Sequence, residues 1–149
     1  MLRRFTLADW AAGLSGMLGL IAVVVPWYSY TSAQSRVTVN GFRASLFGDL
    51  FFLTVAATML LLLARHGVID RRSLPAFDED TAFAAITAIA VGTVLMQIVL
   101  NASGGRSMGP GLVLAIVAEL VMVAGAWLRR SGSDRPFVAR FADGERLTD

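Results

Sequence analysis

Glu119 is a carboxylate that falls well inside a long apolar run, eight residues into Gly111–Leu128. At 1.5 Å per helical residue it lies about 12 Å from the start of that run. At such a depth an acid costs roughly 2.5–3.5 kcal/mol to place in hydrocarbon, so protein or water is expected around it. In the preceding apolar run Thr93, Gln97 and Asn101 recur at i, i+4 and i+8, which a helix carries as a single polar stripe. A short loop joins the two runs, so they read as antiparallel neighbours, with Thr93 level with Glu119 and Gln97 about 6 Å nearer the loop. A carboxyl beside an amide and a hydroxyl suits uptake of a proton or small cation, or one ring position in an oligomeric pore. The same groups equally suit a neutral acid hydrogen-bonded to Gln97 or a threonine as glue between helices. Asp49, with Gly48 and Ser45, opens another apolar run at the same face, as a helix cap or as an acid that draws cations to the mouth.

Other chemistry is scarce. One His and no Cys exclude thiol catalysis, disulfides and zinc–thiolate sites. His66 reads as an interfacial side chain and Asp9 as an interfacial residue or cap, so no metal site and no cofactor are expected. The chain carries no G-x-S-x-G elbow, no P-loop and no H-E-x-x-H, and its polar stripe lacks a second carboxylate or a nucleophile. These features describe a protein that is not an enzyme.

The elements that must position Glu119 follow from composition. Of 149 residues, 56% are hydrophobic and 16% charged, well below the ordinary charged share of a soluble domain. Four stretches are long enough to cross a bilayer core of about 30 Å as helices: 7–28, 47–64, 81–100 and 111–128. The Met-Leu-Arg-Arg start before an apolar run also fits a secretory signal, but the run is longer than a signal core and is read as the first span. All thirteen basic residues are Arg. With both termini inside, ten of them (Arg3, Arg4, Arg65, Arg71, Arg72, Arg129, Arg130, Arg135, Arg140 and Arg146) lie on the inner side, against Arg36, Arg43 and Arg106 outside. That bias predicts a multi-pass protein of a plasma membrane, the inner membrane of a bacterium, with cytoplasmic termini. Scattered beside the spans, the arginines do not form a nucleic-acid surface.

The fold class expected is an all-α membrane protein, a four-transmembrane-helix bundle over residues 1–130 with a cytoplasmic tail over 131–149. Phe137, Val138 and Phe141 in that tail fit a short interfacial helix. In the first outer loop Asn40-Gly41 predicts a two-residue turn, hence a β-hairpin over 36–45 that pairs Val39 with Phe42. Asp78, Glu79 and Asp80 read as N-terminal caps of the third span. Helices in lipid associate through small residues, and packing faces are expected at Gly16 and Gly19 in the first span, Gly92 in the third, and Ala115 and Gly125 in the fourth. Partners would be the lipid bilayer and either a second copy or another membrane protein.

Pro26-Trp27-Tyr28 at the end of the first span, the β-forming loop, and Phe47-Gly48-Asp49 opening the second resemble small four-span proteins of high-GC actinobacteria. The layout is also similar to claudins and related tetraspan proteins, although the claudin Trp-Gly-Leu-Trp signature and loop Cys pair do not occur. The resemblance implies an assembling or pore-forming membrane protein. Two functions are therefore expected of the sequence: an oligomeric protein that passes or senses a small ion around Glu119, Gln97, Thr93, Asn101 and Asp49, or a non-transporting accessory subunit that docks another membrane protein.

Overall fold

A computed structural model describes residues 5–69 and 78–132. The tail segment around Phe137 and the Arg71-Arg72 pair lie outside the described residues. Four helices are long and apolar enough to cross a membrane: α1 (Leu7–Val24), α3 (Leu46–Arg65), α4 (Glu79–Ser103) and α5 (Pro110–Arg130). Three of the four start on a side-chain cap. Thr6 and Asp9 form a reciprocal capping box on α1, with Asp9 N donating to Thr6 Oγ1 and Thr6 N to Asp9 Oδ2. Ser45 Oγ accepts from Phe47 N at the start of α3, and Asp78 accepts from Thr81 N at the start of α4. Hydrogen bonds from the Thr81 side chain and N–H hold the Asp78 carboxyl below the ordinary carboxylate value. Pro110 occupies the first turn of α5, where no intrahelical donor is needed.

The helices run up and down in a ring, α1 beside α3, α3 beside α4, α4 beside α5, and α5 back against α1. The α1–α5 seam is the most extensive and has glycine at its closest points. A Cβ on Gly111 would collide with the Val25 carbonyl oxygen, and one on Gly125 would lie 3.0 Å from Ala11 Cβ. On the α1–α3 side, a Cβ on Gly16 would meet Met59 and one on Gly19 would meet Val55 at 2.5 Å. Ala115 is fully buried beside Ala22 and Leu112. Gly92 departs from the packing expected of it: it faces outward, with nothing within 4 Å of where its Cβ would sit.

The distribution of side chains reverses that of a bundle in water, where the apolar stripe faces inward. Leu14, Met17, Leu53, Leu60, Leu95 and Leu120 are exposed, while Ala12, Ser15, Thr54, Thr58, Ala90 and Gln97 are buried.

The strands differ from the hairpin expected over 36–45. β1 (Pro26–Ser32) pairs antiparallel with β2 (Ser35–Asn40), and β3 (Ser107–Met108) joins the other edge of β1. The turn is Ala33-Gln34, both with positive φ (43° and 72°), as a type I′ turn requires. Tyr28 faces Val39 and Tyr30 faces Val37. The first helix accordingly stops at Val24 instead of Tyr28, because Pro26 supplies no N–H and steers Val25 to extended backbone (ψ 150°). Asn40 serves as a cap: its Oδ1 accepts from Arg43 N at the start of α2 (Gly41–Ala44). Gly41 is required by crowding, its absent Cβ facing the Val23 carbonyl and the Trp27 ring.

The glycines therefore divide by what they touch. Gly111→Ala is expected to lower stability by about 1–3 kcal/mol, because the new methyl meets backbone that cannot turn away. Gly92→Ala is expected to be neutral or to gain up to about 1 kcal/mol from reduced chain entropy. Thermal unfolding of the two variants in detergent checks the difference.

Candidate functional site

Polar side chains occupy the bundle interior along its length, in two chemically distinct groups. At the end opposite the sheet, Asp9 is only 1% exposed and is met by two arginines and a histidine. Its Oδ1 accepts from Arg129 Nη2 at 2.8 Å and lies 3.2 Å from Arg65 Nε, while its Oδ2 lies 3.3 Å from His66 Nε2. Arg65 reaches on to Glu79 Oε2 at 3.5 Å, so α1, α3, α4 and α5 are tied through one carboxylate and its partners. The Arg129 guanidinium lies over the Phe83 ring at 4.4 Å, and Phe5 stacks on His66 at 3.9 Å. A space of about 10 Å³, bounded by Thr58, Arg65, Glu79 and Arg129 among others, lies directly beneath this cluster. It is near the lower limit for one water molecule.

The second group lies nearer the sheet. Ser45 Oγ donates to Gln97 Oε1 at 2.6 Å, and Gln97 Nε2 donates to Asn101 Oδ1 at 2.9 Å. Gln97 thus bonds along its own helix and to the loop before α3, whereas sequence spacing suggested a bond to Glu119. Thr93 donates to the Ile89 carbonyl within α4. Glu119 is 5% exposed and its Oε2 is buried without a hydrogen-bond partner among the described residues; Asn101 Nδ2 is in the same condition. Asp49 sits apart from this group, exposed in the first turn of α3. Of the five residues expected to form one network, the structure links Gln97 and Asn101 directly, buries Thr93 and Glu119, and leaves Asp49 outside.

The surroundings of Glu119 follow from helix register. The contacts Gly125–Ala11 and Gly111–Val25 place residue 119 of α5 opposite the Gly16–Gly19 stretch of α1, which in turn packs on Val55 and Met59 of α3. Thr58 lies on this α3 stretch, its hydroxyl 3.8 Å from the Met122 sulfur one turn from Glu119. The interior hydroxyls of Thr54, Thr58, Thr87 and Thr93 each donate to a carbonyl of their own helix. Their protons are committed, and the lone pairs that remain make the interior rich in acceptors. Among the described residues no group of three His, Cys, Asp or Glu side chains is placed to hold a metal ion.

Comparison with protein-family models, with curated proteins and with solved structures finds no match to this chain.

The Asp9 cluster is the feature that sequence reasoning missed. The available signal was the Thr6-to-Asp9 spacing of a capping box followed by arginines at the matching ends of the second and fourth apolar runs. Asp9→Asn removes the charge that two guanidinia share and is expected to cost roughly 3–5 kcal/mol. Asp49→Asn, on an exposed first turn, is expected to shift the melting temperature far less, and parallel thermal melts of the two variants test the ranking.

Proposed function

We propose that this chain is an integral membrane protein that passes or senses a proton or small cation through the interior around Glu119. The observation that carries the reading is the buried Glu119, whose Oε2 has no hydrogen-bond partner among the described residues, inside a helix long and apolar enough to cross a membrane. Hydrocarbon as solvent accounts for the outward leucines and valines, and for four apolar helices of sufficient length. The arginine bias supports a plasma-membrane orientation with both termini cytoplasmic and the sheet outside. A second reading, a non-transporting subunit that docks another membrane protein, draws on the outward small residues Ala85, Ala88 and Gly92 of α4.

Purified protein in liposomes is expected to dissipate an imposed proton or monovalent-cation gradient, and Glu119→Gln is expected to abolish that flux while the fold persists. Flux equal to that of empty vesicles, with Glu119→Gln altering only thermal stability, overturns the transport reading in favour of the docking one. For orientation, single cysteines in this Cys-free chain separate the alternatives. Thr38→Cys in β2 should react with an impermeant thiol reagent from outside intact cells, and Ser131→Cys after α5 only after permeabilisation.

A further inference from the structure

The outer faces of α4 and α5 diverge to leave an open groove of about 730 Å³. Its walls are Ala84, Ala88 and Gly92 of α4 and Val123, Ala126 and Trp127 of α5. The volume falls within the range of small-molecule pockets. From Asp80 to Leu95 the α4 wall runs about 22 Å, longer than one leaflet of a hydrocarbon core about 30 Å thick. Small side chains make the groove deep enough to admit an unbranched chain. Its rim, at the end opposite the sheet, carries one charge of each sign. Arg130 and Asp80 both line it, both are exposed, and neither makes an ion pair or hydrogen bond among the described residues. Arg129, deeper in the groove, is already held by Asp9.

We propose that this groove binds a glycerophospholipid bearing a primary amine. One acyl chain lies along Ala84, Ala88 and Gly92, the phosphate meets Arg130, and the ammonium meets Asp80. A phosphate beside a cation and an ammonium beside an anion satisfy both rim charges at once. An anionic headgroup without an amine leaves Asp80 opposed to the lipid, and a quaternary amine offers Asp80 no N–H donor. The inference rests on the membrane reading and is independent of transport.

Trp127 is 72% exposed and lines the groove, so its fluorescence reports the occupant. Trp10 is also exposed and Trp27 is buried, so a Trp10→Phe background isolates the reporter. The protein is reconstituted in phosphatidylcholine vesicles containing a minor fraction of brominated phosphatidylethanolamine, phosphatidylglycerol or phosphatidylcholine. Brominated phosphatidylethanolamine is expected to reach half-maximal quenching at about fivefold lower mole fraction than the choline lipid. Asp80→Asn should remove that excess and let phosphatidylglycerol quench as strongly as phosphatidylethanolamine, whereas Arg130→Gln should weaken quenching by all three, since each carries the phosphate. Gly92→Leu, which fills the groove, should weaken quenching by all three. Equal quenching by the three headgroups overturns the proposal, as does an ethanolamine excess that survives Asp80→Asn. Disulfide capture of a second copy through Gly92→Cys, with Trp127 shielded from every lipid, also overturns it, by showing the groove to be a dimer seam. Absence of quenching in a protein that never inserts would sink the membrane reading itself.

Discussion

A carboxylate withdrawn from solvent must be neutralised, and for Asp9 the neutralisation fixes where the helices end. Arg129 and Arg65 arrive from the last turns of α5 and α3, His66 from the residue after α3, and Glu79 from the first turn of α4 through Arg65. These groups converge only if the helices finish at one level, so the cluster sets the axial register as well as joining the bundle. Asp9 also caps α1 through Thr6, so a single side chain secures both a helix terminus and the tertiary junction. Removing one partner leaves the others charged in a site of low polarity, which is why such pairs cost more to break than they contribute when intact.

The opposite end is held by a different kind of force. Trp27 is fully buried, donates from Nε1 to the Ala22 carbonyl at 2.8 Å and meets Phe51 edge-on at 5.5 Å. Gly109 N donates to the Trp27 carbonyl, and the Tyr28 hydroxyl donates to the Ala44 carbonyl, so β1 anchors both the loop before α5 and the turn before α3. Between an ionic junction and an aromatic one lies the stretch containing Glu119. The two buried acids of the interior therefore differ in kind. Asp9 is saturated by cations and explained by architecture, whereas Glu119 has an oxygen that the architecture does not use.

The four helices were readable because their apolar runs are long enough to cross a bilayer, where the backbone has little alternative to a helix. Bounds for α3 and α5 moved by a residue or two, and α4 extended by a turn at its C-terminus. The sheet was harder to read. Hydropathy does not separate a helix from a strand across Val23 to Tyr28, and the deciding signal was Pro26. Asn40-Gly41 has the composition of a hairpin turn, yet a cap and a close approach to Trp27 used the same two residues for other reasons. The actual turn, Ala33-Gln34, has neither glycine nor asparagine, so its positive φ values were not legible. Burial of Glu119, Gln97, Thr93 and Asn101 followed from spacing, but their pairing depended on helix rotation and on Ser45, which no periodicity places. The Asp9–Arg129 contact joins residues 120 apart. Topology brings them to the same end, and only side-chain geometry brings them together.

On the transport reading proposed above, the same packing constrains how an ion reaches Glu119. Glycine at closest approach on α1 and α5 makes their seam the tightest in the bundle, and a space of about 10 Å³ among the described residues cannot serve as a continuous water path. A route through the closed interior must therefore run between fixed groups, or open where the helices are least engaged. That place is the α4–α5 face, whose outer side is already parted into a groove. Helix α4 is held at one end by the Arg65–Glu79 pair and at the other by Ser45 to Gln97, with small residues between. Between these two anchors α4 presents Ala84, Ala88 and Gly92 to the groove.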